Sequence, residues 1–585
     1  MPELDLHVHT EIRDGMRITW NQPIRARDGA VLRADIFRPI GNDPCPVILT
    51  LGMYGKGLSY QESFTIQWDK MVEGYPDILE GSTNKYQNWE VSDPERWVPQ
   101  GYAVMRVDSR GIGWSEGVLD PFGPNEERDI HDSIEWAGTQ PWSTGKVAVM
   151  GISYYAIMAW RAAQSHPSHL AAVLPWEGLL DVYRDLSRHG GILSEFTKLW
   201  ASKQAVTVQY GVGSRAKKNP NTGVSVAGPI DLSQEELARN RLDHFSAALA
   251  HEMDGPWWRE RSTDARNITV PFLSSANWGG QGIHPRGNFM AFTDSPSPQK
   301  WLEVHGELHW SIYSAKVGME LQQRFLDHFL KGKDNGWDRQ PPVMLGIRHW
   351  DGRFVPRAES AWPISRTQWT RHYLHADTQA LSTALPTQSA GLEYEALGDG
   401  LLFKTAPLER ETEITGPIAA TLHISSSTAD ADLFLIVSAF DPEGNELTFQ
   451  GALDPNTPIA QGWLRASHRR LDAARSKPWQ PVHSHDVKEP LVPGEVHELQ
   501  IEILPTCIVL PAGWRLSLAV RGKDYEYGGE LSEFAKTFHY ATKGTGGMTH
   551  NDAVDRPAAV FGGTVTLHTG PEHPSFVLLP VIPAA

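Results

Sequence analysis

The sequence predicts an α/β core with a mainly parallel sheet, an inserted helical segment, and an all-β domain at the C-terminal end. Three observations predict it. Short apolar strands alternate with helical stretches from Pro46 to Trp176, the pattern of βαβ units. That rhythm stops between 178 and 262 and resumes until about 344. Beyond 345 the helical signal nearly vanishes, and short alternating segments recur between Pro, Gly and Asp turns. A chain of 585 residues is also too long for one hydrophobic core. The expected division is a core at 1–177 and 263–344, a helical cap at 178–262, and a β-sandwich of jelly-roll type at 345–585.

The elements follow in order. Residues 17–38 alternate around a turn at Asp28-Gly29, which predicts an opening antiparallel hairpin. PVILTLGMYG (46–55) reads as an apolar strand running into a glycine-containing loop. Residues 56–97 are polar, aromatic and irregular, long for a loop and therefore a candidate for function. YAVMRVDSRG (102–111) is a second buried strand, and Asn125 to Gly138 has helical spacing. LAAVLPW (170–176), ITVPFLSSANW (268–278) and KWLEVHG (300–306) are further strands. In the cap, LLDVYRDLSRHGGILSEFTKLWASKQAV and SQEELARNRLDHFSAALAHEM read as helices. Val317 to Lys333 reads as a closing amphipathic helix. AATLHISSS, DLFLIVSAFD, HELQIEIL, RLSLAVRG and GGTVTLHTG supply the strands of the β domain.

Composition excludes several function classes. The formal net charge is −17 and no basic tract is present, so a nucleic-acid partner is not expected. No run approaches the roughly 18 apolar residues of a membrane span, and the N-terminus lacks a signal-peptide pattern. Cys45 and Cys507 form no disulfide framework, which favours a reducing compartment and a cytoplasmic location.

The motif that carries chemistry is KVAVMGISYYAIMAW: a buried strand, a sharp turn at Gly151-Ile152-Ser153-Tyr154-Tyr155-Ala156, then an apolar helix. A serine at such a tip has its hydroxyl held above the sheet, the nucleophile elbow of α/β-hydrolases written G-x-S-x-G. Ala156 stands where the motif has its last glycine, and a small residue there still lets the turn pass the neighbouring strand. Ser153 is the candidate nucleophile. Its hydroxyl needs a base, which in this fold follows the last strands. His309 fits that position, and His305 is the rival nearer the strand. The His305/His309 pair sits in a loop and lacks the glutamate of H-E-x-x-H, so no metal site is expected. The third member should orient the imidazole. No Asp or Glu lies between Asp264 and Asp294. Glu177, just past the strand after the nucleophile helix, is one candidate acid. A neutral orienter, Asn277 or Gln281, is the alternative, with Glu307 and Glu195 behind them. The oxyanion needs preorganised donors. One is the backbone N–H of Tyr154, and the other is expected from the loop holding Tyr54 and Gly55. The segment Arg110–Gly117 imitates a dinucleotide fingerprint, but Asp120-Pro121 leaves it no helix N-terminus, so no cofactor is expected.

The chain resembles the cocaine esterase/X-prolyl dipeptidyl-peptidase family, the CocE/NonD hydrolases. The resemblance runs through the opening hairpin, DSRGIGWSEG (108–117), the elbow, WWRERS (257–262), GWLRASHRRLD (462–472) and PAGWRLSL (511–518). It implies a hydrolase core, a helical cap and a C-terminal jelly roll, and cleavage of esters or amides through an acyl-enzyme. It implies Ser153 as nucleophile, His309 as base, and Tyr54 as the hydroxyl that completes the oxyanion hole with the Tyr154 amide. The family's acid is an aspartate after a G-W-Y-D-like turn. Here the turn reads Asn277-Trp278-Gly279-Gly280, with glycine in that place. The expected substrate is a small carboxylic ester of apolar or aromatic character. An amide hydrolase, an X-prolyl dipeptidyl peptidase or a β-lactam side-chain acylase, is the second reading. It requires a carboxylate such as Glu195 to anchor a free amine in the peptidase case. A non-catalytic ligand-binding relic is the third. A homodimer of the family's kind is compatible with the acidic surface.

Overall fold

Two sheets build the protein, and the computed structural model describes residues 8–531 and 543–583. The first comprises β1 (His9–Arg13), β2 (Met16–Arg25), β3 (Val31–Pro39), β4 (Cys45–Gly52), β5 (Ala103–Asp108), β6 (Ser143–Ile152) and β7 (Leu170–Trp176). After a detached hairpin, β8 (Arg188–His189) and β9 (Ile192–Leu193), come β10 (Phe272–Asn277), β11 (Lys300–His305), β12 (Val343–Arg348) and β13 (Phe354–Glu359). The order across the sheet is β1-β2-β3-β5-β4-β6-β7-β10-β11-β12-β13. Every pairing from β5 to β12 is parallel, while the flanking pairs are antiparallel. The central strands are continuous apolar runs because helices cover them: β4 and β5 are buried along their whole length. The helices Pro124–Gly138, Tyr154–Ser165 and Lys316–Lys331 pack on this sheet.

The segment between β7 and β10 departs from the two long helices expected of the cap. It holds short helical pieces, among them Val182–Ser187, Phe196–Trp200, Gln234–Arg239 and His244–Ala250. Gly190 and Gly191, both with positive φ (56° and 95°), turn the chain into the β8–β9 hairpin and break the first helix. Residues 56–97 are likewise more ordered than their sequence suggests, with helices at Thr65–Gly74 and Pro94–Trp97.

The C-terminal domain is all-β. Its strand Thr412–Ser426 pairs with His497–Leu510 along one edge and with Thr564–Thr569 and Phe576–Ile582 along the other. Phe576–Ile582 also pairs with Gln368–His375, so the path of strands returns on itself and leaves few open edges. Among the described residues no helix is long and apolar enough to cross a membrane.

The domains meet through buried charge. Arg465 pairs with Asp432 and with Asp555 Oδ2 at 2.8 Å, while Asp555 Oδ1 accepts from Arg188 of β8 at 2.8 Å. The β-domain loop at 451–453 reaches into the core: Ala452 N–H donates to Gly279 O (3.0 Å) and Ala452 O accepts from His309 N–H (3.2 Å). Removing Asp555 leaves two guanidiniums buried without it, so Asp555→Ala is expected to cost about 3–5 kcal/mol. Thermal unfolding against wild type measures this; an unchanged melting temperature contradicts it.

Candidate active site

β6 ends at Ile152, and the chain reverses through Ser153 into the helix Tyr154–Ser165. Ser153 has φ 55° and ψ −114°, a strained conformation that costs on the order of 1–3 kcal/mol and is retained where it aims a functional side chain. The elbow is pinned by Ser153 N–H donating to Trp176 O (3.1 Å) and Ile152 N–H donating to Glu90 O (3.0 Å). Ala156 in place of glycine is accommodated by its neighbour. A Cβ added at Gly178 would lie 2.7 Å from the Ala156 Cβ, so the missing glycine of the motif is supplied from the opposite chain.

Ser153 Oγ lies 3.1 Å from Nε2 of His284, in the turn between β10 and the helix Pro285–Asp294. This is a departure from expectation, since His309 is the ring expected against the serine. His309 lines the same cleft, but its Nδ1 donates to Glu177 Oε2 at 2.7 Å and its Nε2 faces Glu90 Oε1 at 3.1 Å. The two imidazoles stack, with centroids 4.9 Å apart and planes 10° from parallel. His305 stands on the far side of Glu177, with Nε2 3.2 Å from Glu177 Oε1 and Nδ1 2.9 Å from Glu303 Oε2. Glu177 is therefore gripped by both histidines of the sequence pair. Asn277 also donates to its Oε1 (3.2 Å), so this amide holds the carboxylate rather than a histidine. Gln281 donates instead to Ile459 O of the β domain (2.8 Å), away from the imidazoles. Glu307 accepts from Tyr75 Oη (2.7 Å), and Glu195 accepts from Thr549 Oγ1 (3.0 Å); neither lines the cleft.

The turn Asn277-Trp278-Gly279-Gly280 is packed against the β domain and Glu177. A Cβ at Gly279 would meet Gly451 Cα at 2.5 Å, so the packed β domain leaves no room there. A Cβ at Gly280 would lie 3.5 Å from Glu177 Oε2, an ordinary van der Waals contact, so a carboxylate built there would stand beside the one already present.

Electrostatics follow from burial. Glu177 is fully buried; burial alone would raise its carboxyl, yet His309 and His305 hold it well below the usual carboxylate range. Burial would likewise lower His309, but Glu177 and then Glu90 outweigh it and raise the ring to about 10. His305, against Glu303 and Glu177, is raised to about 9 in the same way. His284 is farther from a carboxylate, its Nδ1 4.0 Å from Glu177 Oε2, and burial together with the nearby His309 pushes it down to about 3. Burial also raises the Glu90 carboxyl against the pull of His309. Among the described residues, Glu177, His284 and His309 bring one donor atom each within 4.8 Å of one another. In this group His284 faces the serine through Nε2 and His309 is ion-paired to Glu177 through Nδ1, the arrangement of an acid–base set.

Tyr54 lies in the loop after β4, and Trp200 Nε1, from the segment between β7 and β10, donates to its hydroxyl at 3.1 Å. With its oxygen already accepting, the Tyr54 O–H proton is left to donate towards the serine. Tyr154 N–H is at the first helical position, where no preceding turn accepts it, and the helix dipole adds positive potential there. Above the serine opens an apolar cleft walled by Trp89, Phe122, Ile157, Leu186, Phe196 and Trp200.

The family profile described as X-Pro dipeptidyl-peptidase (S15 family) matches residues 28–311, and the profile of the X-Pro dipeptidyl-peptidase C-terminal non-catalytic domain matches residues 335–578. A solved CocE/NonD family hydrolase from Staphylococcus aureus is 30% identical, with a TM-score of 0.83 over 97% of this chain and 94% of that one. The chain belongs to the CocE/NonD family of hydrolases. A cocaine esterase from Rhodococcus sp. is 25% identical over 96% of this chain and 98% of its own length. This CocE/NonD protein is a serine hydrolase.

Glu90, His284 and Trp200 escaped the sequence reading. Glu90 lies in the 56–97 loop, whose length and irregularity make it a candidate for function, and His284 just precedes a proline-led helix. Tyr54→Phe keeps the ring and removes one oxyanion donor, so kcat is expected to fall about 10²–10³-fold with KM little changed. Steady-state kinetics on an activated ester reads this; an unchanged kcat excludes Tyr54 from the oxyanion site.

Proposed function

We propose that this hydrolase cleaves a carboxylic ester bearing an apolar or aromatic group, through an acyl-enzyme on Ser153. One observation carries the reading: a strained elbow serine with an imidazole nitrogen 3.1 Å from its oxygen, at the floor of an apolar cleft. Ser153 Oγ attacks the carbonyl carbon while a histidine of the His284/His309 pair takes its proton. The oxygen gathers charge between the Tyr54 hydroxyl and the Tyr154 N–H. The same histidine returns the proton to the leaving alkoxide. Water, activated in turn, releases the acid. Glu177 supplies the negative charge that a triad needs.

The lining favours an ester over an X-prolyl peptide. A dipeptidyl peptidase must anchor a free α-amine; among the described residues Glu195 does not line the cleft, and Glu90, which does, gives Oε1 to His309. We read the β domain as a jelly roll whose loop at 451–453 buttresses the site. The two free, buried cysteines suit a reducing, cytoplasmic setting.

Ser153→Ala is expected to abolish turnover of p-nitrophenyl esters, leaving at most the residual catalysis of the oxyanion site, while wild type prefers them to Gly-Pro-p-nitroanilide and is unaffected by EDTA. Preferential anilide cleavage would move the assignment to a peptidase. Full activity in Ser153→Ala would remove the serine mechanism.

A further inference from the structure

We propose that His284 is the base that takes the Ser153 proton, and that His309 is a positioning residue locked between two carboxylates. The inference rests on the serine mechanism above and deepens it.

The argument is one of lone pairs. An imidazole accepts a proton only through an unprotonated nitrogen. Both nitrogens of His309 face carboxylates, Nδ1 to Glu177 at 2.7 Å and Nε2 to Glu90 at 3.1 Å. Ionised carboxylates only accept, so each contact places a proton on His309. Were Glu90 protonated, its own proton would occupy the Nε2 lone pair instead. In neither case does Nε2 face the serine. His284 has the complementary arrangement. Its Nε2 faces Ser153 Oγ at 3.1 Å, and its Nδ1 lies 4.0 Å from Glu177 Oε2. Burial and the neighbouring cation keep this ring neutral at ordinary pH, with a lone pair ready for the hydroxyl proton. The groups that bear on the pair are Glu177, Glu90 and, across Glu177, His305 with Glu303.

The step balances as follows. Ser153 Oγ–H gives its proton to His284 Nε2 as Oγ bonds to the ester carbon, and the carbonyl π pair moves to oxygen. That pair returns, the C–O bond to the alcohol breaks, and His284 Nε2–H protonates the leaving oxygen. Water then repeats the sequence on the acyl-enzyme, its proton passing to His284 and on to Ser153 Oγ. The cation on His284 forms against a stacked His309 cation, and Glu177 Oε2, within reach of both Nδ1 atoms, offsets the repulsion.

The test compares His284→Ala, His284→Gln and His309→Gln with wild type. The readouts are p-nitrophenyl ester kinetics, the rate of fluorophosphonate labelling of Ser153, and thermal unfolding as the check on folding. The His284 variants are expected to lose about 10³–10⁴-fold in kcat with KM nearly unchanged. Added imidazole should restore part of the His284→Ala rate, because the truncation opens a space beside Ser153 Oγ; a structural role would not respond this way. His309→Gln should lose less, on the order of 10–10²-fold. Wild-type kcat/KM should stay flat from about pH 8 down to about pH 5, since a base that titrates near 3 remains unprotonated there. A loss in His309→Gln equal to or larger than that in His284→Ala, or no imidazole rescue in a folded His284→Ala, overturns the assignment. Wild type that neither turns over esters nor labels refutes the serine mechanism itself, a distinct failure.

Discussion

A single buried carboxylate organises this site. Glu177 has no exposure to solvent and a left-handed backbone (φ 51°), and an isolated charge there would cost several kcal/mol. It is tolerable because its oxygens are shared among His309, His305 and Asn277. Each of those partners is in turn held by the charge: the His309 ring is turned, His305 is kept cationic, and the Asn277 amide is fixed at the end of β10. Glu177 follows β7, one parallel strand before the turn in which the resemblance places an aspartate. In that turn Gly279 must be glycine, because Gly451 of the β domain lies against it.

The β domain takes part in this geometry. Its loop at 451–453 bonds the backbone of both Gly279 and His309, in the two chain segments that carry His284 and His309 into the cleft. Leu453 also reaches the cleft wall. Catalytic groups held on loops need such support, because a small displacement at the reacting atoms costs orders of magnitude in rate. The buried Arg465–Asp432–Asp555–Arg188 cluster keeps the two domains in the register that this support requires.

Much of the fold was legible in the chain because its signals are local. LAAVLPW is β7 residue for residue, Asp28-Gly29 turns the opening hairpin, and the five alternating segments beyond residue 345 all lie in strands of the β domain. The cap was less legible: two apolar-periodic runs read as long helices, whereas a glycine pair and tertiary packing cut them short. In the site, the elbow and the pairing of Glu177 with His309 follow from sequence order. His284 and Glu90 do not, since each is brought to the serine by a turn whose path depends on the packed neighbours. A histidine next to a proline carries no periodic signal. The close approach of Gly451 to Gly279 exists only in three dimensions.

The measurement that bears most directly on this account is ester hydrolysis by Glu177→Gln, with thermal unfolding as a check that the fold survives. The substitution keeps the shape and one acceptor but removes the charge that His309 and His305 share. The account predicts a fall in kcat of at least about 10–10²-fold, the loss expected when His309 is no longer held, because the same charge also offsets the cation that forms on His284. A folded Glu177→Gln enzyme with kcat near that of wild type would contradict it, and would place the negative charge that the chemistry needs elsewhere in the cleft.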